Sequence, residues 1–431
     1  MTSRHGGSSK NTFDVISDQD SHIESRDFQI KRSQEVADTH PVLETLLMKT
    51  QLLTVVVLIW SVSDASLVFA EDRTTDPQYE TADESQFIKR ASANEKKIAF
   101  SATKADEYLK QGARMWWDEH QCVTCHTNSI YGSERPALSP VLGAPDPEVR
   151  THFVKDIETM HKLEGDARKA LHLADRPAQV VAITRGLVEW DAQLNKKLTE
   201  DSIRALSLMF EVQAADGSWG NVECWPPFES SNFQTATVAI TAAATAPNWL
   251  EEIADEEEKN KYEKGLDYLR KTDPKHDYWR LLRLWTATHV PSIVTEMEKN
   301  RVRDLVWERQ NKDGGWSILD FYTFKNWVEG SLPRSFLKDA DFMDAPSDGH
   351  MTGLALLVLI DSGVNIHDKR IQRGVEWLLA NQRESGRWWT KSLNTNHYHF
   401  ITYSATAYAL GVLHKTGRLK ASKQPSSSNA K

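Results

Sequence analysis

Cysteine is scarce in this chain, with three in 431 residues. A structural zinc site needs a second Cys or His pair at comparable spacing, and Cys224 stands alone in ECWPPF. Positive charge is also in deficit: the formal net charge is −9. Nucleic-acid binding rests on a basic face, so nucleic acid is not an expected partner. Long apolar runs are missing as well. The run from Leu52 to Trp60 falls well short of the roughly twenty residues a bilayer demands, so no membrane span is expected in the mature chain. No stretch alternates apolar and polar residues for long, which argues against strands and against the βαβ setting of a dithiol redox motif.

The two remaining cysteines form Cys122-Val-Thr-Cys125-His126. Cys-x-x-Cys-His is the pattern by which haem c is attached covalently: each thiol adds to a vinyl group, and the histidine becomes the proximal iron ligand. The expected cofactor is therefore haem c, bound by Cys122, Cys125 and His126. The compartment agrees with this. Met48-Lys49, the apolar run and Val68-Phe69-Ala70 read as a signal peptide over 48–70. Residues 1–47 then read as untranslated or disordered, with translation starting at Met48, and the mature protein is expected in the periplasm or secreted. Residues 71–104 read as a linker and 415–431 as a disordered tail.

Self-similarity organises the rest. Gln-x-x-x-Gly-x-Trp occurs at Gln213/Gly217/Trp219, Gln310/Gly314/Trp316 and Gln382/Gly386/Trp388, each time between a charged helical stretch and a small-residue apolar one. A degenerate copy keeps Trp279. Glycine supplies the positive φ of a sharp turn after a helix, while the indole covers a glutamine whose amide bonds the neighbouring helix end. Aligned on this unit, Gln121, Cys125 and Thr127 take the glutamine, glycine and tryptophan positions. The haem motif thus replaces one turn.

The pattern resembles the QW repeat of the squalene-hopene cyclase and protein prenyltransferase superfamily, over Ala105 to His414. The resemblance implies an all-α fold, an α/α toroid across 105–414 with a central apolar cavity. It does not supply the chemistry, because the Asp-x-Asp-Asp acid motif of such cyclases is missing; Asp339, Asp341, Asp344 and Asp348 are not adjacent. Compared with prenyltransferase β-subunits, Asp348, His350 and Tyr398-His399 stand near the family's zinc positions, with histidine for cysteine. Zinc is thus a second candidate cofactor, and His399, His350 and His397 are candidate distal haem ligands. The plainer reading makes them helix caps and a satisfied core histidine. The expectation is an exported haem protein active in electron transfer or in oxidation of an apolar substrate, its partner a redox protein or a hydrophobic small molecule. Two alternatives stand beside it: a zinc-dependent prenyltransferase- or cyclase-like enzyme, and a non-catalytic scaffold for an apolar ligand or a protein.

Overall fold

Two kinds of helix alternate along the chain, and their burial explains the architecture. The computed structural model describes residues 94–419 apart from 221–230, 324–340, 342 and 394–399. The expected signal peptide, the 1–47 segment, Cys224, Asp339, His397 and His399 lie outside the described residues. One kind is amphipathic: α1 (Ala102–His120), α3 (Pro147–His161), α5 (Glu200–Glu211), α7 (Glu256–Lys271), α9 (Glu296–Glu308) and α11 (Lys369–Asn381). In α11 the buried residues are Ile371, Gly374, Val375 and Leu378, the i, i+3, i+4, i+7 stripe of a helix with one face in the core. Two of these helices begin with capping boxes, Asp255 with Glu258 and Thr295 with Glu298.

The other kind is buried or half-buried nearly all round. It comprises α2 (Asn128–Glu134), α4 (Arg176–Trp190), α6 (Asn232–Thr245), α8 (Asp277–Ala287), α10 (Gly349–Asp361) and α12 (Ile401–Lys415). In α10 every residue from Gly349 to Leu359 is buried, which requires neighbours on all sides. Those neighbours are the other inner helices: α2 packs on α4, α4 on α6, α6 on α8, α8 on α10, α10 on α12, and α12 back on α2. The inner set is a closed ring with the amphipathic helices around it, so the fold is an all-α α/α toroid. The described residues contain no β-strand, only the isolated bridges Lys97–Arg383 and Gln382–Trp388.

The repeat turns hold neighbouring units together. Nε2 of Gln213 donates to Gly217 O at 3.1 Å and to Lys261 O of α7 at 2.9 Å. Gln310 does the same with Gly314 O and Arg370 O of α11, at 2.9 and 2.8 Å. Gln382 bonds Gly386 O at 2.8 Å and, 281 residues away in sequence, Ser101 O at 2.9 Å. Each glutamine therefore ties its turn to the next outer helix, and the third joins the last repeat to the first. The indoles also have a hydrogen-bonding role. Trp219, Trp316 and Trp388 are fully buried and donate to Met209, Val306 and Leu378 O, anchoring each turn to its own preceding helix. The glycines are required twice over: Gly314 has φ +95, and a Cβ there would lie 2.7 Å from Arg373 O.

Candidate functional site

The loop carrying Cys122-Val-Thr-Cys125-His126 is not a copy of the repeat turn. The positive φ falls on Gln121 (φ 51) and not on Cys125, and the Gln121 amide turns back to Trp117 O of its own helix at 2.8 Å. This loop is fixed by three side chains. Asn128 accepts from Thr124 N and donates to Cys122 O, Asp156 accepts from Val123 N at 2.7 Å, and Gln179 donates to Val123 O at 3.0 Å. Neither cysteine is in a disulfide, both are part-exposed, and burial raises the pKa of the Cys122 thiol. His126 lies flat against Phe400, ring centroids 4.1 Å apart, with the edge of Trp116 at 4.8 Å. Its Nδ1 shares a 2.7 Å hydrogen bond with Thr127 Oγ1, and burial lowers its pKa to about 3.

Two thiols and a neutral imidazole are suitable donors for a covalently held haem. Among the described residues the adjoining space is small. Cys125 opens onto a cavity of about 130 Å³, whereas sites for sizeable organic ligands occupy about 300–1,000 Å³. The described residues thus give the motif's donors beside a cavity smaller than a porphyrin needs, and no step below passes through haem.

Of the second candidate constellation, Asp348 and His350 lie among the described residues, while His397 and His399 lie outside them. Asp348 is the N-cap of α10, accepting from Met351 N at 2.9 Å, Ile318 N at 2.6 Å and Thr390 Oγ1 at 3.1 Å. Burial lifts its pKa to about 6. His350 is wholly enclosed, with Nε2 on the Tyr278 hydroxyl at 2.9 Å and Nδ1 on Ser404 Oγ at 2.7 Å. Burial holds it neutral, its pKa lowered to about 3. Both ring nitrogens are engaged, so His350 is built as a core histidine. Among the described residues no three His, Cys, Asp or Glu side chains stand close enough to share a metal ion.

What the inner ring does enclose is the cavity itself. It runs along the axis from Cys125 past Ser129 and Ile130 to Glu134 on α2, with walls from α4, α6, α8 and Tyr408 of α12. Between Ala178 and Arg185 it follows α4 for about 10 Å at 1.5 Å per residue. The lining is less apolar than expected. Val181, Val238, Leu282 and Trp285 alternate with the hydroxyls of Thr237, Thr241 and Tyr278. Glu134, at the far end from Cys125, is the carboxyl of this wall. Burial raises its pKa to about 7, opposed by the positive charge of Arg185 and reinforced by the negative charge of Glu189. Sequence reasoning missed Glu134, which carries no motif. The available signal was an acid on a helix whose other residues, Asn128 to Ser133, are buried.

The repeats, closed inner ring and axial cavity define a toroid of the cyclase and prenyltransferase-like kind. Residues 286–410 match the family model for the squalene-hopene cyclase C-terminal domain. A squalene–hopene cyclase of Bradyrhizobium diazoefficiens is 25% identical over 202 residues, 41% of this chain and 28% of that enzyme, so the chain spans little more than a quarter of its relative. Among solved structures, a polysaccharide lyase is similar at 11% identity and TM-score 0.45, over 75% of this chain and 99% of that one. The type II terpene cyclase MstE of Scytonema, bound to merosterolic acid A, is similar at 12% identity and TM-score 0.39, over 73% and 96%.

The matches to the cyclase family model and the cyclase relative support the superfamily assignment, and they overturn the expected function. Electron transfer or haem-dependent oxidation was inferred from five residues. The family-model match extends from the end of α8 through α9, α10 and α11 into α12 and favours the cyclase-like alternative.

Proposed function

We propose that this protein is a cyclase-like enzyme that takes a compact, mainly apolar guest into the axial cavity and transforms it by proton transfer at Glu134. The observation that carries this reading is a carboxyl on the cavity wall whose pKa burial raises to about 7. An acid poised near the operating pH is efficient in both directions of proton transfer. It is too weak to protonate an isolated alkene, the task for which cyclases use a more acidic carboxyl. It suits dehydration of an allylic alcohol: Glu134 donates its proton to the hydroxyl, the C–O bond breaks and water leaves, and the carboxylate then takes a proton from the carbon next to the allylic cation to give a diene and restore the acid. The guest is small: an engineered cavity of about 150 Å³ accommodates benzene, and this one is close to that volume at about 130 Å³. A five-carbon isoprenoid alcohol matches it, whereas a thirty-carbon chain does not.

The test incubates the protein with isoprenoid alcohols of five to fifteen carbons and follows products by gas chromatography with mass detection. Conversion of the shortest alcohols, lost in Glu134→Gln while calorimetric binding persists, is the expected result. Absence of both binding and conversion across the series overturns the reading.

A further inference from the structure

The charges around Glu134 balance without it. On α4, Arg185 pairs with Glu189 at 3.0 Å and bonds Thr245 of α6 at 2.8 Å. Lys415 of α12 pairs with Asp361 of α10 at 2.7 Å. Arg135, next to Glu134 in sequence, is held by Asp106 of α1. His289, after α8, is kept neutral by burial, and the Tyr408 phenol is held un-ionised. On α3, His152 stacks on Trp117 of α1 and Asp156 accepts from Val123 N, so both are also committed. An ionised Glu134, which accepts from Ser133 Oγ at 3.2 Å, is therefore left without a cation of its own among these cavity-side groups.

The rest of the wall suits a cation as well. Thr237 donates its hydroxyl proton to Gln234 O at 2.6 Å, Thr241 to Thr237 O at 2.7 Å, and Thr286 to Leu282 O at 3.2 Å. With those protons turned back into the helices, oxygen lone pairs remain for the cavity. Trp285, Tyr278 and Tyr408 add aromatic rings, whose faces attract cations. An anion would meet acceptor oxygens and a carboxyl, with the nearby cations already paired.

We infer that the axial cavity is a binding site for a compact organic cation of tetramethylammonium size, with the Glu134 carboxylate as its counter-charge. The inference rests on the cavity reading above and names the chemical class the cavity prefers. Occupation by a cation requires Glu134 to ionise, so binding releases a proton below neutrality and tightens as pH rises through the pKa of the empty site. Glu134 is about one-tenth ionised one unit below that pKa and about nine-tenths ionised one unit above, so affinity rises about tenfold between pH 6 and 8.

Calorimetric titration with tetramethylammonium chloride and with neopentyl alcohol, a neutral molecule of the same shape, tests it at pH 6, 7 and 8. The expected result is a tenfold tightening for the cation, proton release at pH 6, and no pH dependence for the alcohol. Glu134→Gln should abolish the preference for the cation and leave the alcohol's affinity within about twofold, which also shows that the variant cavity is folded. Binding of the alcohol without the cation, or a flat pH profile for the cation, overturns this inference and leaves the cavity reading standing. If neither probe binds at any pH, both fall.

Discussion

At the scale of single residues, the buried ionisable groups give the protein opposing responses to pH. Glu134 has a folded pKa of about 7 against an ordinary carboxylate value of 4.5. Between those values the native state holds a proton that the unfolded chain has released, so stability falls as pH rises from about 4.5 to 7 and levels beyond. His126, His276 and His350, lowered by burial to about 3, act in the other sense. The unfolded chain binds their protons first, so their stabilisation is complete above about 6.5 and is lost progressively as pH falls toward 3. Urea unfolding at pH 5 and pH 8 separates the two. The stability of wild type minus that of Glu134→Gln is expected to decline from the lower pH to the higher, and a difference that rises or stays level would remove Glu134 from the buried acids. His350→Gln is expected to lose stability at pH 8, where the imidazole bonds to Tyr278 and Ser404 are intact, by about 1–3 kcal/mol for the polar groups left behind. That penalty shrinks on acidification, because wild type then bears the cost of protonating the imidazole.

At the scale of elements, the repeat turn was the most legible feature of the sequence, and the reason is geometric. A positive φ against a neighbouring backbone admits only glycine, and an indole that must reach a carbonyl ten residues back is not easily replaced. Such constraints fix residue types at fixed spacing, which leaves a pattern. The axial cavity leaves none, since its lining comes from helices distant in sequence and each contributes ordinary Thr, Ser, Val or Glu. The converse error came from the Cys122–His126 loop, where aligning residue types put Gln121 and Cys125 in a turn geometry that the backbone does not adopt. Glycine substitutions separate the two kinds of position. Gly314→Ala puts a Cβ 2.7 Å from Arg373 O, whereas Gly143, also at positive φ, has nothing within 4 Å. Gly143→Ala should cost about 1 kcal/mol from conformation alone, and Gly314→Ala distinctly more. Trp316→Ala should cost about 3–5 kcal/mol, as expected for a large buried aromatic removed from a packed core. Similar melting temperatures for the two glycine variants would show that close approach of α11 is not what Gly314 provides.

At the scale of the molecule, the important feature is that the array of helix pairs is closed. In an open solenoid each unit touches only its neighbours, so ends fray and segments unfold separately. Here the last repeat turn returns to the start. Gln382 exchanges hydrogen bonds with Ser101 N and O, and Glu95 clasps the fully buried Arg387 while accepting from Ser385 N at 2.6 Å. The inner helices α12 and α2 complete the contact beneath. No pair is then terminal, and loss of one exposes both neighbours. Wild type should accordingly unfold in urea with coincident transitions by circular dichroism and tryptophan fluorescence. Glu95→Ala leaves the Arg387 guanidinium buried without its carboxylate, at a cost of about 3–5 kcal/mol. Its effect should exceed that loss of stability: with the seam weakened, the ring behaves as an open array, and the two probes should separate into distinct transitions with a smaller urea dependence in the first. A variant that is less stable yet still unfolds in one coincident step would mean that the inner-helix contact alone closes the ring, leaving the outer clasp a purely local stabiliser.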